Sequence, residues 1–190
     1  MTPTQFRPEL LERVELTLLH PFITSATLAK AVEICREFSL PALAVTTDRL
    51  VEATHLLEGS GVKLVALIGH PFGLGDADAK RYEVELALDL GAQELEVAWA
   101  IAPIRDNWRA RLLRQFQDIL EAAQGNPVRF CLETPLLTMD EITVLGAMLS
   151  ECGPQALSTG TGFAGLEPAS FDHLSSLRRQ MPAAVELKLG

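Results

Sequence analysis

The sequence predicts an α/β fold of the TIM (β/α)8-barrel type, with seven strand-helix units visible and the eighth strand absent or incomplete. Two observations lead there. Strand-like runs alternate with helical stretches seven times over short connections, the signature of parallel strands joined by crossovers. Within the strands, one face is consistently apolar and the other holds charges or small residues. Leu95, Val97 and Trp99 alternate with Glu94, Glu96 and Ala98, and Phe130 and Leu132 alternate with Arg129, Cys131 and Glu133. An open doubly wound sheet also suits the alternation, but helices on both of its faces would want apolar residues on both sides. A barrel with a polar lumen fits the parity better.

Each element has its own signal. Residues 1–13 are polar and read as an irregular or short helical cap. The first strand is 14–19, with Val14, Leu16 and Leu18 opposite Glu15 and Thr17; Thr24 then caps a helix over 26–38. The second strand is 42–46, and Asp48 reads as the cap of a helix ending at Gly59. The third strand, 63–69, runs into a loop, His70-Pro-Phe-Gly-Leu-Gly, and a helix over 77–90 stopped by Gly91. The fourth strand is 94–99, followed by a helix over 108–123 that ends before Gly125 and Pro127. The fifth strand spans 128–134, and Thr138 with Glu141 spells a capping box for a helix reaching Glu151. The sixth strand opens the stretch 156–163, Ala-Leu-Ser-Thr-Gly-Thr-Gly-Phe. Its two glycines lead to Gly165 and Pro168, so its backbone N–H groups are expected to be free to hold an anion. A helix over 169–180 and a seventh strand at 185–189, with Val185, Leu187 and Leu189 opposite Glu186 and Lys188, complete the pattern.

The totals narrow the function classes. The 190 residues fit one domain, 1–190, and 48% hydrophobic residues can build a sizeable core. No apolar run reaches the roughly 18 residues of a membrane span, and the first eight residues lack a basic-then-apolar signal, so the expected location is cytoplasmic. A net charge of −9, from 16 basic and 25 acidic residues, disfavours a nucleic acid partner. Cys35, Cys131 and Cys152 are widely spaced among apolar neighbours and read as reduced core thiols.

The lumen face collects the chemistry: Glu15, Glu96, Glu133 and Lys188. An ammonium desolvated there could lose its proton and attack a carbonyl to form a Schiff base, with a carboxylate moving protons. Equally, Lys188 could be a structural ion-pair partner of Glu96 or Glu133. The chain has four lysines. Lys30 and Lys80 fall on helices and Lys63 opens its strand, which leaves Lys188 as the inner-face candidate. His20 and His70 follow strand ends, where barrel sites are built. They read as ordinary loop residues or, with Glu133, as a metal set, although neither has a second ligand at close spacing. His55 and His173 fall on helices and read as surface residues.

Several segments resemble, in order, those of the deoxyribose-phosphate aldolase family. They are Thr17-Leu-Leu-His-Pro with Thr24, Gly59-Ser-Gly-Val-Lys, Leu67-Ile-Gly-His-Pro-Phe-Gly, Lys80 with Glu83, Gly91-Ala-Gln-Glu-Leu-Glu, Leu132-Glu-Thr-Pro-Leu-Leu-Thr and Thr159-Gly-Thr-Gly-Phe. The resemblance covers the chain from about residue 14 onward. It implies a TIM barrel and a class I aldolase that cleaves 2-deoxyribose 5-phosphate to acetaldehyde and glyceraldehyde 3-phosphate through a lysine Schiff base, without metal or other cofactor. The family's Schiff-base lysine, on strand six, corresponds to Ser158, which cannot form an imine. Its strand-four aspartate corresponds to Glu96, its second lysine to Lys188, and the cysteine of its strand two to Ala44. Thr17, Glu133, Thr159, Thr161 and Gly162 fall at the implied substrate and phosphate positions. The family's phosphate grip also draws on the loop after strand seven and on strand eight, beyond Gly190. Reduced, altered or no lyase activity is expected, with a non-catalytic barrel serving binding, assembly or regulation as the alternative. The expected partners are a small sugar phosphate or aldehyde, and a second copy or another protein covering open sheet edges.

Overall fold

The computed structural model describes residues 8–106, 108–163 and 168–190. Seven parallel strands form one sheet in chain order: β1 (Glu15–Leu18), β2 (Ala42–Thr46), β3 (Lys63–Ile68), β4 (Glu94–Ala98), β5 (Val128–Cys131), β6 (Ala156–Ser158) and β7 (Glu186–Lys188). Helices follow the strands: α1 (Ser25–Glu37), α2 (Leu50–Leu57), α3 (Ala77–Asp89), α4 (Ala102–Arg105), α5 (Arg109–Ala122), α6 (Met139–Cys152) and α7 (Phe171–Gln180). The sheet curls until Glu15 on β1 meets Lys188 on β7 at 2.5 Å, the geometry of a TIM-type barrel built from seven units. Among the described residues β1 pairs only with β2, and β7 only with β6.

The two faces sort as the parity predicts. Leu43, Val45, Leu64, Ala66, Ile68, Leu95, Val97, Phe130 and Leu157 point outward into the large core beneath the helices. Phe116 of α5 stacks on Phe130 at 4.5 Å, with Trp99 against both. Inward, Ala42, Ala44, Val65 and Leu67 form a small separate apolar cluster that fills the β2–β3 half of the lumen, with Leu19 against it.

Local chemistry explains most boundaries. The Thr24 hydroxyl caps α1 by accepting from the Thr27 N–H, and Thr138 with Glu141 forms the full capping box at α6. Three readings need correction. Asp48 caps no helix: its carboxylate accepts from the Thr46 hydroxyl inside a 3-10 turn at Thr47–Arg49, and α2 begins at Leu50. The fifth strand stops at Cys131, because Glu133 takes a left-handed backbone (φ 43°) and starts a 3-10 turn. The short α4 carries no periodic signal, and the helix after β4 starts at Arg109. Of the polar N-terminal segment, Pro8–Arg13 is a 3-10 helix and residues 1–7 lie outside the described residues, as do Gly165 and the rest of 164–167. The last helix starts at Phe171, capped by the Ser170 hydroxyl. No helix among the described residues is long and apolar enough to cross a membrane.

Candidate functional site

Two carboxylates and two cations meet inside the curl. Glu15 on β1, Glu96 on β4, Arg129 on β5 and Lys188 on β7 share the lumen parity, and the long side chains bridge the remaining width. Arg129 donates to Glu96 from Nε (2.7 Å) and to both oxygens of Glu15 from Nη2 (3.0 and 2.7 Å). Lys188 Nζ donates to Glu15 Oε1 (2.5 Å) and Glu96 Oε2 (3.0 Å). The Ser158 hydroxyl, on β6, donates to Glu96 Oε1 at 2.9 Å.

The electrostatics follow from burial and pairing. Burial alone would raise the Glu96 carboxyl, but His70, Arg129 and Lys188 around it hold it well below the usual carboxylate range. Burial disfavours the Arg129 cation, and Glu96 and Glu15 outweigh that and push it above its ordinary value. The four charges cancel two against two, which is how a buried cluster of this kind is tolerated.

The structure brings Lys188, Glu96 and Ser158 together as the sequence places them. Thr17 is half-buried on the same face, two residues beyond Glu15. Glu133, Thr159, Thr161 and Gly162 form a second group at the loop after β6. Here three of the N–H groups expected to be free are engaged within the chain. The Glu133 carboxylate, 5% exposed, accepts from the Thr161 N–H at 3.0 Å, and the Phe163 N–H goes to the Thr161 hydroxyl at 3.3 Å. The Thr159 N–H donates to the Lys188 carbonyl, and its hydroxyl accepts from Gly190 N. An internal carboxylate thus holds the place where an external anion was expected; the left-handed Glu133 backbone delivers it, and that conformation has no sequence signal in a non-glycine residue.

The metal set of His20, His70 and Glu133 does not form. His20 is exposed, its ring against Phe22; Glu133 is engaged by the β6 loop; and His70 instead lies 3.7 Å from Glu96. His173 is half-buried, with its Nδ1 at 3.1 Å from the Thr134 hydroxyl, whereas His55 is exposed as expected.

Sequence reasoning also passed over three residues. Arg129 stood on the charged face with Glu96 and Lys188, and that shared parity was the available signal. Cys131 was read as a core thiol but lies on the lumen face; burial first, then the Glu96 charge, pushes its thiol up to about 12. Lys80 was set aside as helical, yet it is 1% exposed. Its stem lies under Gly69, where a Cβ would come 2.9 Å from Cε, and Nζ donates to the Ala98 carbonyl at 2.9 Å. Burial pushes the Lys80 ammonium down to about 8, with the Glu83 carboxylate pulling the other way. The Lys80 amine thus meets the backbone at the end of β4. A cleft of about 600 Å3 opens among Lys63, Glu94, Pro127, Gln155 and Glu186, at the start of the strands.

The architecture and this site define a class: a curled parallel α/β barrel with a charged lumen. The chain is similar in sequence to deoxyribose-phosphate aldolases. It is 27% identical to that enzyme from Bdellovibrio bacteriovorus over 180 residues, covering 95% of this chain and 81% of the relative. It is 29% identical to the one from Dictyoglomus turgidum over 157 residues, covering 83% and 72%. Among solved structures it matches the aldolase QR15 (TM-score 0.88, 21% identity, 95% of this chain and 80% of that one). It also matches the tetrameric deoxyribose phosphate aldolase of Aeropyrum pernix (TM-score 0.82, 24% identity, 96% and 78%). No family model matches the sequence.

Proposed function

We propose that this chain is a deoxyribose-phosphate-aldolase-like barrel, one folded unit over 1–190, that does not perform Schiff-base cleavage and keeps its lumen and edges for binding and assembly. One observation carries the reading: the lumen offers no free amine. An imine forms only from an unprotonated amine, and Lys188 donates to two carboxylates while β6 contributes the Ser158 hydroxyl. Glu96, held ionised, has no proton to give a leaving group. At the β6 loop a sugar phosphate would meet the Glu133 carboxylate on the Thr161 N–H, like charge against like. Incubation with acetaldehyde and borohydride is expected to leave the protein unmodified by mass spectrometry, and 2-deoxyribose 5-phosphate to be neither cleaved nor formed. Turnover abolished by Lys188→Leu would overturn the proposal.

A second reading, a weakened lyase with Lys188 as nucleophile and Glu96 as proton carrier, is favoured by the 24% exposure of the Lys188 side chain; a stoichiometric adduct on Lys188 would establish it. The edges of β1 and β7, unpaired among the described residues, together with the tetramer of the Aeropyrum pernix structure, support self-association. Light scattering is expected to give a mass above one chain.

A further inference from the structure

His70 is the lumen residue that neither the ion pairs nor the fold accounts for. Its Nδ1 lies 3.2 Å from the Ile68 carbonyl oxygen. A carbonyl only accepts, so Nδ1 carries the proton of that contact and Nε2 is the ring atom left for another partner. That nitrogen is buried without a hydrogen-bond partner, on a side chain 1% exposed, and points at Glu96 Oε1 across 3.7 Å. A buried ring nitrogen beyond hydrogen-bond distance of a buried carboxylate oxygen leaves room for a cation bound by both. A third donor completes the corner: His70, Glu96 and Cys131 each present one ligand atom, and all three lie within 4.8 Å of one another. Adjacent strands fix them, since Glu96 pairs in register with Leu67 of β3, and Cys131 pairs with Ala98 of β4. The contact from Nδ1 to a backbone carbonyl is the kind that orients metal-bound histidines.

We propose that His70 Nε2, Glu96 Oε1 and Cys131 Sγ form a binding site for one borderline divalent cation, Zn2+, with Ser158 Oγ as the oxygen nearest its fourth position. One nitrogen, one sulfur and one carboxylate oxygen suit Zn2+ and leave hard cations such as Mg2+ or Ca2+ under-coordinated. Bonds of about 2.0 to 2.3 Å put tetrahedral ligand atoms roughly 3.3 to 3.8 Å apart, close to the separation of Nε2 from Oε1. The charges balance as follows: the ion takes the carboxylate ionised, Nε2 by its lone pair and the sulfur as thiolate, so binding releases the Cys131 thiol proton, with any proton carried on Nε2, to solvent. The resulting thiolate offsets one of the two positive charges. Arg129 and Lys188 stay on Oε2, and Oε1, which accepts from the Ser158 hydroxyl, keeps its second lone pair for the ion. A cation here would supply a Lewis acid for an oxygen ligand on the face where the amine is missing. The site stands independently of the Schiff-base reading, because no ligand in it is an amine.

The test is a titration of the metal-free full chain with Co2+, followed by displacement with Zn2+. The expected result is one equivalent bound, with visible bands of a tetrahedral ion and a near-ultraviolet thiolate-to-cobalt band, both erased by Zn2+. His70→Gln and Cys131→Ser should each weaken binding at least about tenfold, with the thiolate band lost in the second and His20→Gln without effect. Absence of the thiolate band, or a spectrum that both substitutions leave unchanged, would overturn the site. Should either variant fail to fold, alkylation of the wild-type chain in a urea series decides: Zn2+ must slow labelling of Cys131 specifically at urea concentrations that expose it, with Cys35 and Cys152 as internal references, and labelling of Cys131 that Zn2+ leaves unchanged rejects the site.

Discussion

The two halves of the lumen are built on opposite principles. Across β2 and β3 it is filled by Ala42, Ala44, Val65 and Leu67, a dry cluster with no polar side chain in it. Across β4 to β7 and β1 it is filled by Glu15, Glu96, Arg129, Lys188 and Ser158, every one in a charge-assisted hydrogen bond. The apolar half is stabilised by removing area from water and is indifferent to pH. The charged half persists because its charges match, so losing the shared Arg129 would strand two carboxylates. Chemistry is confined to the second half, while the first holds the strands in register.

That contrast can be broken from either side. Arg129→Leu, which removes the guanidinium shared by Glu15 and Glu96, is expected to cost the most, about 3 to 5 kcal/mol in chemical denaturation, because two largely buried carboxylates are left with one ammonium. Leu67→Ala in the dry half is expected to cost about 3 kcal/mol, a cavity and transfer effect, and to be equal at pH 5 and pH 8. A loss that varied strongly with pH would show that the halves are coupled.

Lys80 supplies a third arrangement, a buried cation whose direct hydrogen bond goes to a carbonyl. Its folded value of about 8 lies below the ordinary 10.5, so between these the unfolded chain binds a proton that the native state does not. Stability from this group therefore rises as pH climbs from about 8 toward 10.5, by at most about 1.4 kcal/mol per pH unit. Lys80→Met should remove that rise; an unchanged slope would mean that the ammonium keeps its proton. The smallest effect is expected for Lys188→Met. Its side chain is 24% exposed and Glu96 retains Arg129, so the loss should be about 1 kcal/mol or less.

Much of this was legible beforehand. Parity assigned Glu15, Glu96, Glu133 and Lys188 to one face, and the first, second and last of these meet there, because alternation along a strand is a local property. The capping box at Thr138 and Glu141 was legible for the same reason. Lys80 was not: a helical position says nothing about whether glycines such as Gly69 clear a path for its stem. The Glu133 carboxylate that takes the Thr161 N–H was hidden as well, since a left-handed residue at the end of β5 redirects a side chain that alternation would have pointed elsewhere.

The sequence by itself determined the seven-fold alternation and the polar lumen, since each depends on residue type and spacing alone. Only the tertiary structure decided that Arg129 neutralises two carboxylates, that Lys188 is held between them, and that His70 and Cys131 converge on Glu96. These meetings join residues far apart in the chain, and they are set by how far the sheet curls, which no local pattern encodes.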